Sequence, residues 1–462
     1  MPPVGLDTDS SIKALKIEIP VEFKDRKESN RVLCTMHEDT ALRLPQELLD
    51  AIVEELDPSE DKLSLRQCAL AARCLLPTAQ RILFRTIELH NLDDTNMDHF
   101  RRLLSLSHHL ALYINILELY LQCYPEFLTQ IPLASIVPRL QNLQCIELLA
   151  ARAEGVRPCP LTSTQFSTLL GGQEMPRIRK FVLRGDNPIE IKEVYAICEW
   201  FAERGGIQDL YFEGFYMTWD PTLSHTASPN LTTVSPIHLR RFTITECTSK
   251  VEPFLEWATS SRSCMQFTEL RELTVSYLTA HTHTPVHFFR ILDQAKGSLT
   301  HLRLDADMSL SSIQPYTFPE LRSISCWLPN KHSALKPWCT ALRQWGTPKL
   351  EKFVIQMDPA GSKHPWTFDE LLDDFGRHLW NEFEEILVAH TQLESRHVVL
   401  QIQILVDTSL NHNADILQRY FPLLHASCRC QLVVKAQQEG RKGSGMTQSW
   451  EYTSRSGQWE EH

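Results

Sequence analysis

His281, His283 and His287 form the tightest group of metal-ligating side chains in the sequence. Three imidazoles can hold zinc, but a working centre needs further groups to complete the coordination and orient the rings. No acidic residue or cysteine stands nearby, so the segment reads as a His-rich loop. Cys428 and Cys430 are separated by a single residue, too few for the spacing of a zinc knuckle. Gly440, Gly443 and Gly445 cluster with no strand before them and no Lys-Ser/Thr after them, so the parts that cradle a phosphate are missing. Neither His-Glu-x-x-His nor Gly-x-Ser-x-Gly occurs. With 57 acidic residues, paired carboxylates are everywhere and identify no site. The expectation is a protein without catalysis, metal or cofactor, whose work is done by surfaces.

Those surfaces depend on the elements that carry them. The 462 residues suffice for roughly two to four domains, or for one long repeat array. A composition 43% hydrophobic and 22% charged fits a folded globular chain. No apolar run reaches the ~20 residues of a membrane helix. The longest candidate, Leu110–Leu121, contains Asn115 and Glu118. Met1–Ser11 has no positive start and no apolar core, so no secretory signal is read. The 13 cysteines are then expected as reduced thiols of an intracellular protein, cytoplasmic or nuclear. Asn230-Leu231-Thr232 would accept a glycan only in a secreted chain. The net charge is −11, and residues 1–61, with 7 Lys+Arg against 15 Asp+Glu, hold −8 of it. No large basic field is present, which disfavours nucleic acid and anionic membranes as partners.

Residues 1–40 lack a sustained period and are expected to be a flexible arm. From Leu44 the pattern changes. Pro45 suits the start of a helix and Glu47 its positive end. Leu48, Leu49, Ile52, Val53 and Leu56 then recur on one helical face. Asp57-Pro58-Ser59 breaks the helix, and a second is predicted over about Lys62–Ala72. Pro77 can open a third, with Ala79, Ile82 and Leu83 inside, before β-like Thr86-Ile87-Glu88-Leu89.

This run resembles an F-box. The opening Leu44-Pro45-Gln46-Glu47-Leu48-Leu49, with Ile52-Val53 and Leu56-Asp57, looks like its first half. Lys62–Leu76 looks like its second half, and the continuation to Leu89 is similar to the form common in mushroom-forming fungi. Where many relatives carry Trp, this chain has Leu75. The resemblance spans residues 41–90 and implies a three-helix module. It also implies docking to a Skp-type adaptor, and through it a cullin, by burial of an apolar helix face. The matched positions are Leu44, Pro45, Leu48, Leu49, Ile52, Val53, Leu56, Leu65, Leu70, Leu76 and Leu83.

Residues 91–436 carry an internal repeat, apolar-x-x-apolar-x-apolar. It occurs nine times, starting at Ile114, Leu143, Ile178, Ile207, Leu239, Leu270, Leu299, Leu321 and Leu350. The starts are 29, 35, 29, 32, 31, 29, 22 and 29 residues apart. This is similar to a leucine-rich repeat, though the usual asparagine after the core is mostly missing. Helix-like segments lie between at Ile191–Arg204, Val251–Thr259, Pro285–Ala295 and Leu335–Gln344, and a longer one at Phe368–Ala389. The predicted fold is α/β: three helices, then an irregular strand–helix solenoid. Two last strands, His397–Asp407 and Cys430–Ala436, are expected to close and cap it, and residues 437–462 to form a flexible tail.

In each repeat the intervening residues point away from the core. That places Tyr211, Glu213, Arg241, Glu272, His301, Arg303, Asp305 and Trp327 on an open face, with Asp209, Thr243 and Thr274. Mixed charge with aromatics suits a protein partner. Three readings stand at this point: a substrate-recruiting subunit of a Skp–cullin–F-box ubiquitin ligase, whose target is unknown; a repeat scaffold independent of any ligase; and, with no motif to argue for it, an unrecognised hydrolase or transferase.

Overall fold

The computed structural model describes residues 44–89, 94–121, 132–150, 178–218, 235–245, 251–276, 286–305, 315–328, 335–357, 370–406, 414–438 and 448–461, broken by gaps of one to three residues, together with Phe166, Ser167 and Leu170. The arm expected over residues 1–40 lies outside the described residues, as do His281, His283, Asn230 and the 440–445 glycines.

Three short helices come first: α1 (Gln46–Glu54), α2 (Lys62–Ala71) and α3 (Leu76–Leu83). Pro45 sits just before α1 with extended backbone, where its missing N–H costs nothing. The three helices bury Val53, Leu65 and Ala79 against each other, with Leu56, Cys68, Ala69, Leu75, Ile82 and Leu83 around them. This small core is separate from the large one formed by the later described residues.

Fourteen strands form one sheet in strict sequence order. They are β1 (Thr86–Leu89), β2 (Ile116–Leu121), β3 (Cys145–Ala150), β4 (Lys180–Gly185), β5 (Asp209–Glu213), β6 (Arg241–Thr245) and β7 (Glu272–Val275). Then come β8 (His301–Asp305), β9 (Ser323–Leu328), β10 (Lys352–Met357), β11 (Val398–Val406), β12 (Cys430–Gln438), β13 (Gln448–Thr453) and β14 (Gln458–Glu461). β1 through β12 pair in parallel, and β12, β13 and β14 antiparallel. The nine repeats supply β2 through β10, each with its three apolar residues in the core.

Repetition fixes the register. The carbonyl of the residue before one strand accepts two N–H groups from the next. Arg179 O receives Gln208 N at 2.8 Å and Asp209 N at 2.9 Å, and Arg240 O receives Arg271 N at 2.8 Å and Glu272 N at 3.0 Å. The same pair of bonds recurs from Arg85 O to Arg322 O.

A parallel sheet needs a crossover between neighbouring strands, and crossovers of one hand lay their helices on one face. That face is packed by α4 (Asp94–Leu106), α5 (Ile191–Glu203), α6 (Val251–Ala258), α7 (Val286–Ala295), α8 (Lys336–Gln344) and α9 (Arg377–Glu394), followed by α10 (Ala414–Tyr420) and α11 (Pro422–Ala426). Helix and strand aromatics meet there, Phe201 of α5 with Phe181 of β4 at 5.0 Å and Phe383 of α9 with Phe353 of β10 at 5.0 Å between centroids. On the other face burial alternates, as in β5 and β9.

Three expectations change. Gly376, at φ +82°, interrupts the helix predicted over Phe368–Ala389, and α9 starts only at Arg377. β11 and β12 do not close the array; they extend the parallel sheet, and its two edges stay unjoined. The residues read as a tail instead hold the end of β12 with β13 and β14, and bury Tyr452 beside His425. Trp450 and Tyr452 alternate along β13, a strand period hidden by polar neighbours.

Candidate functional site

Two surfaces stand out, one on the helical module and one on the open side of the sheet. On α1 and the residue pair before it, Leu44, Leu48 and Ile52 follow at intervals of four, so they share one helical stripe. They are 52%, 51% and 58% exposed. Leu63 and Leu70 of α2, seven apart and again on one face, are 68% and 83% exposed. Five of the eight large exposed hydrophobics among the described residues thus lie within residues 44–70. Pro45 is exposed too, while Leu49, Leu56, Leu76 and Leu83 are half-buried. Val53 and Leu65 are corrected: both are sealed inside the module's own core and present nothing to another chain. Leu63 was missed as a surface residue, although its seven-residue spacing from Leu70 was readable.

Polar bonds hold α1 in place. Thr78 Oγ1 donates to Asp50 Oδ1 at 2.5 Å, and Gln46 Nε2 donates to Asp50 Oδ1 at 2.8 Å and to Cys74 O at 2.9 Å. The Thr78 hydroxyl, then the Gln46 amide, hold the Asp50 carboxyl below its usual range. Arg81 of α3 pairs with Glu54 of α1. The apolar stripe is therefore presented by a helix whose polar side is tied down.

The sheet's open side is a field of charges largely satisfied by one another. Arg241 Nε lies 3.1 Å from Glu272 and its Nη1 4.0 Å from Asp209. The Tyr211 hydroxyl bonds Arg241, and Lys180 Nζ sits 4.9 Å over the Tyr211 ring. Burial pushes Tyr211 and Asp209 upward, against the pull of Arg241. Glu213 takes Arg184 Nε at 2.6 Å, and Glu147 takes Lys180 at 3.1 Å. Arg303 donates to Gln356 at 2.8 Å, and His301 is exposed beside Thr300 at 2.9 Å. Trp327 is half-buried; Asp305 stands in register with it on β8, its side chain outside the described residues. The expected residues thus share one face, but most of their charges are already paired. Toward β12 the face changes, and Val354, Gln401 and Val433 lie in one buried row.

The chain matches no protein-family model and no curated protein.

Sequence reading also missed the rim where the strands begin. A groove of about 1240 Å³ runs along it and is lined by Arg85, Arg179, Arg240, Arg271 and Arg322. These occupy the position just before each strand, one step short of the face residues considered first. Burial pushes the Cys145 thiol in this groove up to about 12, so it stays protonated and unreactive at neutral pH. His287, on α7, meets Arg290 at 3.4 Å. Among the described residues no group of three His, Cys, Asp or Glu side chains is placed to hold a metal ion, and no helix is long and apolar enough to cross a membrane.

Proposed function

We propose that this chain is a non-catalytic adaptor: an F-box-like module docks a Skp-type protein of a cullin ubiquitin ligase, and the repeat sheet holds a target. The observation that carries the reading is the stripe of Leu44, Leu48 and Ile52, more than half exposed and left uncovered among the described residues. Covering the open half of such side chains is worth on the order of 1 kcal/mol each. A cap for the sheet would turn this stripe inward; here the inward residues are Val53, Leu65 and Ala79 instead. The leucine-rich-repeat-like reading of the sheet is supported by the regular spacing of nine strands and their sequential parallel order. A bound target held near a transferring enzyme reacts through raised effective concentration, with no chemistry from this chain.

Co-purification with a Skp-type adaptor tests the docking. Leu48→Asp with Ile52→Asp should abolish it, because both charges would be buried unpaired at the contact. Both positions are more than half exposed in the free chain, so circular dichroism should be unchanged. Retained co-purification refutes the assignment and leaves the repeat scaffold alone.

A further inference from the structure

The rim groove differs from the rest of the open side in one respect: four of its arginines make no ion pair, although Asp209 and Glu272 stand in the same groove. Arg85, Arg179, Arg240 and Arg271 are exposed, and none has an ion-pair partner among the described residues. One step along the strands the charges are compensated, as in Arg241–Glu272 at 3.1 Å and Lys180–Glu147 at 3.1 Å. Within the rim row, Arg322 is paired, 3.0 Å from Glu351. A chain of net charge −11 thus keeps four guanidinium groups free of ion pairs along a single groove.

The backbone ladder sets their spacing. Neighbouring strands lie ~4.8 Å apart. Arg240 and Arg271 precede adjacent strands, β6 and β7, and Arg179 precedes β4, two strands before β6. Arg240 and Arg271 can therefore grip one anion together, with Arg179 ~10 Å further along. An extended peptide carries alternate side chains on one side at ~7 Å intervals, within reach of arginine forks spaced in this way.

We infer that the rim groove binds an extended, Asp/Glu-rich peptide segment of the target, clamped by Arg240 and Arg271 and reached by Arg179. The inference rests on the reading of the sheet as the target-holding part, and it names the chemistry of that target. Carboxylates match the guanidinium fork in pairs of hydrogen bonds. Between the arginines stand Gln144 and Gln208, amides suited to a peptide backbone. Asp209 and Glu272 also line the groove, and they repel a continuous polyphosphate more than spaced single charges.

Fluorescence anisotropy on the full chain tests this with a labelled peptide alternating Glu and Ser, against its Gln/Ser counterpart. The Glu peptide should bind, weaken with added salt, and lose about tenfold in affinity in Arg240→Ala with Arg271→Ala. Arg240→Lys with Arg271→Lys should restore only part of that loss, since charge returns without the fork. Equal binding of the two peptides, wild-type affinity in the double alanine variant, or preference for a phosphorylated peptide or a single-stranded oligonucleotide overturns the inference. Leu48→Asp with Ile52→Asp should leave peptide binding intact, so failure of the adaptor reading and failure of this one give different results.

Discussion

Leu65 tests whether the helical module stands on its own core. Its side chain is fully buried, and only Val53 and Ala79 join it at the centre of that core. Leu65→Ala removes three carbons and leaves a cavity, a loss of about 2–5 kcal/mol. A three-helix unit of this size holds only roughly 3–5 kcal/mol in total, so most of its stability should go. The large core shares none of these three residues, so the sheet should not respond. Hydrogen exchange of the full chain, read by mass spectrometry, resolves the two parts. Amides of α1 to α3 should lose protection by roughly thirtyfold or more, while β2 to β12 keep theirs. Tryptophan fluorescence gives a second view, because all ten tryptophans lie between residues 200 and 459 and none in the module. Its urea midpoint should match that of the unmutated chain. Equal loss of protection in the strands, or a shifted fluorescence midpoint, would show one cooperative unit and refute the separation.

Three further outcomes follow from the sheet and its helices. Burial pushes the Glu384 carboxyl on α9 up to about 7, against the backbone N–H of Leu424, which reaches it at 2.6 Å. The folded form then holds its proton more tightly than the unfolded one, so stability falls as pH rises from about 4.5 to about 7 and stays flat above. Glu384→Gln should remove that decline, with a urea midpoint above the unmutated chain at pH ~8 and equal to it at pH ~4. Gly206, at φ +75°, ends α5 with its N–H on Phe201 O at 2.8 Å; Gly206→Ala should cost about 1–3 kcal/mol by thermal melting, since a side chain strains that backbone. Removal of residues 439–462 should expose the β12 edge, where Leu432, Val433 and Val434 are buried, and light scattering should report aggregation that the full chain does not show.

What the sequence disclosed and what it concealed divide along physical lines. The repeat is legible because a half-buried parallel strand must place apolar residues at fixed offsets, and Leu302 and Leu304 do so as plainly as Ile324 and Cys326. The first three helices are legible for the same reason, at a period of four rather than two. Period alone does not say which apolar stripe faces inward. Leu48 and Val53 both belong to an apolar face of α1, yet one is half exposed and the other sealed. α4 was overlooked because His99, Arg101 and Arg102 interleave with Met97, Phe100 and Leu104, the three residues it buries.

The arginine row was hidden differently. The rim row takes one residue from each repeat, about thirty positions apart, and its arginines are separated further by Asn115, Gln144, Gln208 and Thr300. Only the ladder of shared carbonyls places Arg179, Gln208, Arg240 and Arg271 side by side. In a sequential parallel sheet, each position within the repeat becomes a row across the molecule. A weak compositional bias at one position is thereby summed into a local field. Face rows hold both signs and compensate, as Arg241 with Glu272 and Arg184 with Glu213 do. The rim row collects arginine and amides with little acid until Glu351, so its charge stays available. For such folds, reading charge down the columns of the repeat, rather than along the chain, is what brings such a row to light.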